Sequence, residues 1–189
     1  MRLTVTFLIV TATVFAQQPQ QQEEPLNRPG WVLRQTVGLE SLGAGVFTTG
    51  IGTWRGVPEE YGRTWRGFGQ RYGMRMAGIA TQNVMEASIG AALHEDPRYK
   101  KAEGPFKQRL ISVFRQTALV KKDDGSYGPA YARYSAIVGG NFLSNAWRAD
   151  SEAKVSSALL RTAYGFLGRL AGNAYSEFGS DAMRLVKKR

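Results

Sequence analysis

Apolar residues recur along this chain at intervals of three and four, the spacing that keeps one face of an α-helix apolar. Phe106, Leu110, Val113, Phe114 and Thr117 form one such stripe, with Lys107, Gln108, Arg109, Ser112 and Arg115 opposite. Gly104-Pro105 starts that segment, because proline at the first helical position gives up no needed donor. A second stripe, Val155, Leu159, Thr162, Phe166 and Leu170, follows a cap at Asp150 or Ser151. It leads, with room for a break near Gly179, to a basic end at Lys187-Lys188-Arg189 that suits the negative end of a helix dipole.

A long helix is predicted from about Thr64 to Leu93, ending before Asp96-Pro97 because a residue preceding proline avoids the helical region. Another, about Tyr131 to Trp147, carries Ile137, Val138, Phe142 and Leu143 on several faces and reads as central and largely buried. Trp31 to Thr53 reads as helix despite its glycines. Asp123-Asp124-Gly125-Ser126 is a tight turn around which Ala118 to Tyr131 can close as a short hairpin. The pattern predicts an all-α, glycine-rich bundle of about five helices over residues 29–189, with one short hairpin near Asp123–Ser126 and no second domain.

Glycine is the odd component, since each one inside a helix costs about 1 kcal/mol against alanine. Gly52/Gly56, Gly69/Gly73 and Gly168/Gly172 are each four apart, and Gly90 and Gly139-Gly140 add flat patches. Such patches let two backbones approach closely, in membranes or in tightly packed soluble bundles. No stretch after the first sixteen residues holds about 18 apolar residues free of charge or amide, so a transmembrane helix is not expected there.

Residues 1–16 read as a cleavable export signal: Arg2, an uncharged apolar run from Leu3 to Phe15, and small residues Val14 and Ala16 at the positions a signal peptidase reads. Residues 17–28, rich in Gln, Glu and Pro, read as a disordered leader, leaving 29–189 as the folded domain. The expected location is extracytoplasmic: periplasm, envelope or medium. With no cysteine, the chain has no disulfide, thiol nucleophile or thiolate metal site. Lys and Arg number 25 against 15 Asp and Glu. For an exported chain the available anions are lipid headgroups, surface polysaccharides and wall polymers, so nucleic acid is not an expected partner. Solubility alone also accounts for the charge.

Three groups of residues carry candidate chemistry. Gln82, Glu86, Gly90 and His94 are spaced four apart on the long helix, near Asn83, with Arg71 and Arg75 further up. Glu86 could serve as acid or base, yet it lies about 12 Å along the axis from His94. No carboxylate–histidine pair has metal-ligand spacing, so no metal and no cofactor is called for. A structural role is the alternative, with Asn83 and Glu86 bonding to Asn141, Asn145 or Arg133. Second, His94-Glu95-Asp96-Pro97-Arg98-Tyr99 places Glu95, Asp96, His94 and Arg98 together where a helix ends, as a hydrolase loop does. No nucleophile motif accompanies it, which favours a structural corner. Third, the W-R-G triplet occurs twice, as Trp54-Arg55-Gly56 and Trp65-Arg66-Gly67, followed by Phe68, Arg71 and Tyr72. Trp54, Arg55, Trp65, Arg66 and Arg71 are binding candidates, because aromatics interleaved with arginine stack on sugars or sit at lipid headgroups. Indoles filling the core with arginines snorkelling outward is the other reading, and exposure separates the two.

The pieces Gly67-Phe68-Gly69-Gln70-Arg71-Tyr72-Gly73, Asn83-Val84-Met85-Glu86, His94-Glu95-Asp96-Pro97-Arg98-Tyr99 and Tyr134-Ser135-Ala136-Ile137-Val138-Gly139 resemble an uncharacterised family of secreted bacterial proteins. The resemblance covers around half the chain and implies export and a mostly helical domain. It transfers no catalytic residue. The expected function is a non-enzymatic envelope or periplasmic protein binding an anionic surface or a protein partner. The competing expectation is a hydrolase or transferase using Glu86 or Glu95 with His94.

Overall fold

The computed structural model describes residues 25–187, so the expected export signal and most of the expected leader lie outside the described residues. The last leader residues are ordered. Asn27 caps the first helix, its side chain accepting from the Gly30 N–H at 2.9 Å. Arg28 then donates to the carbonyls of Ala87, Gly90 and Glu95 at 3.0–3.3 Å. Composition placed these two residues in the leader, but Asn27 is held by the helix it caps and Arg28 by carbonyls at the end of a distant helix.

The described residues form α1 (Arg28–Val37), α2 (Leu39–Arg55), α3 (Trp65–Ala92), β1 (Glu95–Asp96), α4 (Phe106–Ala118), β2 (Leu119–Lys122), β3 (Tyr127–Pro129), α5 (Tyr131–Leu143) and α6 (Val155–Lys187). The all-α bundle with a short hairpin is therefore present. The helix expected from Trp31 to Thr53 is divided at Gly38, whose backbone is extended and where a Cβ would sit 2.3 Å from the Arg34 carbonyl oxygen. Thr64 caps α3 by accepting from the Gly67 N–H at 3.1 Å, at the start the sequence predicts. Neither Asp150 nor Ser151 caps α6, which begins at Val155; Ser151 instead binds the Glu60 carboxylate. No break occurs at Gly179. β2 and β3 close the expected hairpin, and β1 joins it antiparallel, with Glu95 opposite Lys122 and Asp96 opposite Lys121.

α3 packs against α1, α2 and α5, and α5 lies between α3 and α6. The core at these contacts is small and polar. An amphipathic helix normally turns its apolar stripe inward; α4 and α6 do so only in part, with Thr162, Phe166 and Leu170 of the α6 stripe half-buried. Val113 of the α4 stripe is buried, but Phe106, Leu110 and Phe114 are exposed, while Arg109, Ser112 and Gln116 turn toward the interior. On α6, Val155 and Leu159 are exposed, and the inward face carries Ala158, Gly165, Arg169, Asn173 and Glu177. Of the four α5 residues expected in the core, only Ile137 is buried. The cause is the set of buried ionic partners described below, which need partners more than the apolar side chains need cover.

Some glycines do seat neighbours: a Cβ at Gly140 would meet Gln82 at 2.6 Å, and one at Gly165 would meet Ile137 at 2.8 Å. Gly69, Gly73, Gly168 and Gly172 have nothing within 4 Å, so those two pairs are open surface and not helix contacts.

Candidate functional site

The carboxylates singled out from the sequence are buried and paired. Glu86, on the inner face of α3, accepts from Arg133 Nε at 3.0 Å and from Arg169 Nη2. Burial pushes the Arg169 guanidinium down to about 10, against the pull of Glu86. Trp31 lies beneath that guanidinium, 5.9 Å from ring centre to Cζ. Asn83 bonds Thr36 at 3.0 Å and not α5. Asn141 returns to its own helix at the Ile137 carbonyl, and Asn145 takes Arg161. Of the structural partners expected for Glu86, Arg133 is the one it meets.

The His94–Tyr99 block works as a clasp. His94 has a positive φ of 56° and turns the chain out of α3, and its exposed ring meets Asp123 at 2.9 Å. Glu95 is buried and accepts from the backbone N–H groups of Tyr131 and Ala132, both at 3.1 Å. It thereby caps α5, which has no side-chain cap of its own. Asp96 accepts a forked pair from Arg98, at 3.0–3.1 Å to Nε and 2.8 Å to Nη2, with Lys100 at 3.4 Å. Burial favours protonating Asp96, but these hydrogen bonds and cations outweigh it and hold the carboxyl below its ordinary range. Tyr99 donates to Glu177 at 2.7 Å; burial first, then that carboxylate, pushes its phenol up to about 12. Glu86, His94 and Glu95 each face a different partner and do not converge.

Glu177, which sequence reasoning missed, is the hub of the other end. It is wholly buried and accepts from Tyr99, from the Ala102 N–H at 3.0 Å and from Arg109 Nε at 2.6 Å. A signal was available: Arg169, Asn173 and Glu177 recur every four residues, a polar row along one side of α6.

The W-R-G repeat behaves differently. The first triplet ends α2, with Gly56 in the left-handed region at φ 71° as its cap. The second opens α3, where a Cβ at Gly67 would lie 1.9 Å from the Tyr61 carbonyl oxygen. Each glycine is thus required by the backbone, and each places its tryptophan beside the same turn. Trp54 is 79 % exposed and Trp65 88 % exposed. Both line one open cleft of about 700 Å³, with Thr53, Arg63 and Phe68. Phe68 supports Trp65 edge-on at 6.0 Å and stacks on Tyr72 at 6.1 Å. Arg63 is exposed, as are Arg55 and Arg66, the chain neighbours of the two tryptophans. The core-filling reading of these indoles is overturned.

Arg71 does not belong to this surface. It is buried, donating to the carbonyls of Val57, Pro58 and Gly62 at 2.7–2.8 Å, and it ties the turn between α2 and α3. Only its sequence neighbours Trp65, Arg66 and Phe68 suggest a binding role; its donors are spent on backbone.

The outer face of α2 continues the exposed aromatic edge. Leu39, Val46, Phe47 and Ile51 are exposed along it up to Trp54. Among the described residues no helix is long and apolar enough to cross a membrane, and no group of three or more His, Asp or Glu is placed to hold a metal ion. No family model, no curated protein and no solved structure matches this chain.

Proposed function

We propose that this chain is an exported, non-enzymatic envelope protein that docks on an anionic lipid surface through the outer face of α2 and the two tryptophans. The observation that carries the reading is the pair of solvent-facing indoles, Trp54 and Trp65, on one cleft that Arg63 also lines. Indoles sit at headgroup level because one edge is apolar and the other carries an N–H. The 17 residues of α2 present an apolar face parallel to such a surface, as interfacial helices do. Exposed arginines and the overall charge of +10 supply attraction to anionic lipid. The resemblance of the His94–Tyr99 block to secreted proteins supports the extracytoplasmic setting. A hydrolase or transferase reading has no shared site to stand on, since Glu86, Glu95 and His94 serve three separate contacts.

Sedimentation with phosphatidylglycerol vesicles tests the proposal. Binding is expected at low salt and lost near 1 M salt, where screening acts within about 3 Å. Trp54→Ala/Trp65→Ala should weaken it by about tenfold or more, since burying one large apolar side chain contributes roughly 1.5–3 kcal/mol. No binding at low salt, or undiminished binding by the double variant, overturns the lipid reading and turns the edge over to a protein partner.

A further inference from the structure

On the other side of α2 from the tryptophan cleft lies a cavity of about 170 Å³, walled in part by Val57, Tyr61, Arg71, Arg75, Arg148 and Glu152. Three guanidiniums face one carboxylate there. Glu152 is taken by Arg148, whose Nη1 lies 3.0 Å from Oε2. Arg71 spends its donors on neutral carbonyls and the Thr53 hydroxyl. Arg75 donates Nη1 to the Ser41 carbonyl at 3.2 Å and touches the Met76 sulfur at 3.9 Å. No carboxylate among the described residues pairs with it. Burial accordingly holds the Arg75 guanidinium below its ordinary value, with Tyr72 opposing. Nε and Nη2 of Arg75 and Nη2 of Arg148 have no protein partner among the described residues.

We propose that this cavity is an oxyanion site that takes a phosphate group between Arg75 and Arg148. An arginine fork matches phosphate oxygens in pairs, and the surplus of two positive charges on the wall suits a dianion. At roughly 30 Å³ per water, the space holds several waters, or one small oxyanion in their place. Val57, exposed at the rim, leaves an entry beside the turn from α2 to α3. The phosphate is either free or the head of a phosphomonoester lipid. The site does not depend on the tryptophan edge and would stand if vesicle binding failed.

Calorimetric titration of the purified protein with inorganic phosphate, in chloride buffer of constant ionic strength, tests it. One saturable site is expected, with affinity reduced about tenfold or more in Arg75→Gln, the loss of a charge-assisted contact. Lys107→Gln, which removes the same charge from the exposed surface of α4, should leave the affinity unchanged. Competition by soluble dihexanoyl phosphatidic acid below its micellar range, more potent than phosphate itself, assigns the site to a lipid head; phosphate alone binding assigns it to the free anion. Thermal melting of Arg75→Gln without phosphate gives an independent readout, because removing a half-buried charge that lacks a counter-ion should not lower the midpoint. No saturable binding by the unmodified protein, or equal binding by folded Arg75→Gln, overturns the proposal.

Discussion

Glu86, Glu95 and Glu177 are each buried and have two or more donors, whereas around Trp54 and Trp65 the large side chains stand in solvent with arginines beside them in the sequence. The first region looks more like an active site in the sequence, dense in acids, a histidine and arginines. Its groups are nevertheless consumed by one another and by helix ends. The second region is built from residue types that normally fill cores. What separates the two is partnering: a buried acid held by arginines or helix N–H groups is committed to the fold, while an exposed indole retains nearly its whole apolar surface for a ligand.

The same contrast explains why the apolar stripes of α4 and α6 are only partly covered. A buried carboxylate between two arginines cannot be left without its partners, since breaking such a set costs more than exposing a leucine. α4 and α6 therefore turn so that Arg109, Arg169 and Glu177 face inward, and part of each apolar stripe, Phe106 and Phe114 on α4 and Val155 and Leu159 on α6, is left at the surface. Apolar exposure on this scale is uncommon in proteins surrounded by water alone, which is a further reason to look for a surface that covers it.

The sharpest attempt to break the comparison is Glu86→Ala. It should destabilise the fold by about 3–5 kcal/mol, because Arg133 and Arg169 are left buried without a carboxylate, and denaturant unfolding reads this directly. Vesicle binding by the remaining folded molecules should be unchanged; loss of both together would mean that the two regions are one unit.

Glu177 comes next. Burial raises its pKa, but hydrogen bonds from Arg109, the Ala102 N–H and Tyr99 outweigh that and hold the carboxyl below 4.5. A carboxyl depressed in the folded state contributes stability that is present above its unfolded value and lost as the pH falls through the folded one. Unfolding free energy should therefore decline as pH drops below about 4.5, and Glu177→Gln should flatten that acid limb. At neutral pH the variant should be less stable by about 1–3 kcal/mol. An acid limb unaltered in Glu177→Gln would show that other carboxyls govern it.

His94→Ala should do least. The ring and its Asp123 partner are 74 % and 64 % exposed, and such pairs contribute little, so melting should shift by no more than the equivalent of about 0.5 kcal/mol. Should this variant keep its fold and yet abolish an enzymatic activity of the protein, the clasp would have to be read again as a catalytic loop.

Local signals were legible where the cause is local. Thr64 marks the start of α3, the Asp123–Ser126 turn marks the hairpin, and the glycines of the W-R-G triplets mark the two sides of a turn. The candidate residues were legible only as types. Arg71 and Trp65 sit within seven positions of each other and looked alike as ligands, yet one is buried on carbonyls and the other is nearly free. Glu95 caps a helix that begins 36 positions later, and Arg28 closes one that ends more than 60 positions away; neither partner is signalled by a nearby residue.

Periodicity, caps and turn residues thus establish which segments are helical and where most of them stop, because those choices are made by backbone geometry within a few residues. The direction each helix faces was a tertiary decision. Hydrophobic periodicity ranks faces by their affinity for a dry interior, and that ranking was overruled in part on α4 and α6 by charges from distant segments. A buried ion needs one particular partner at bonding distance, whereas an apolar side chain accepts any cover, so the ions set the rotation and the apolar faces went where it put them.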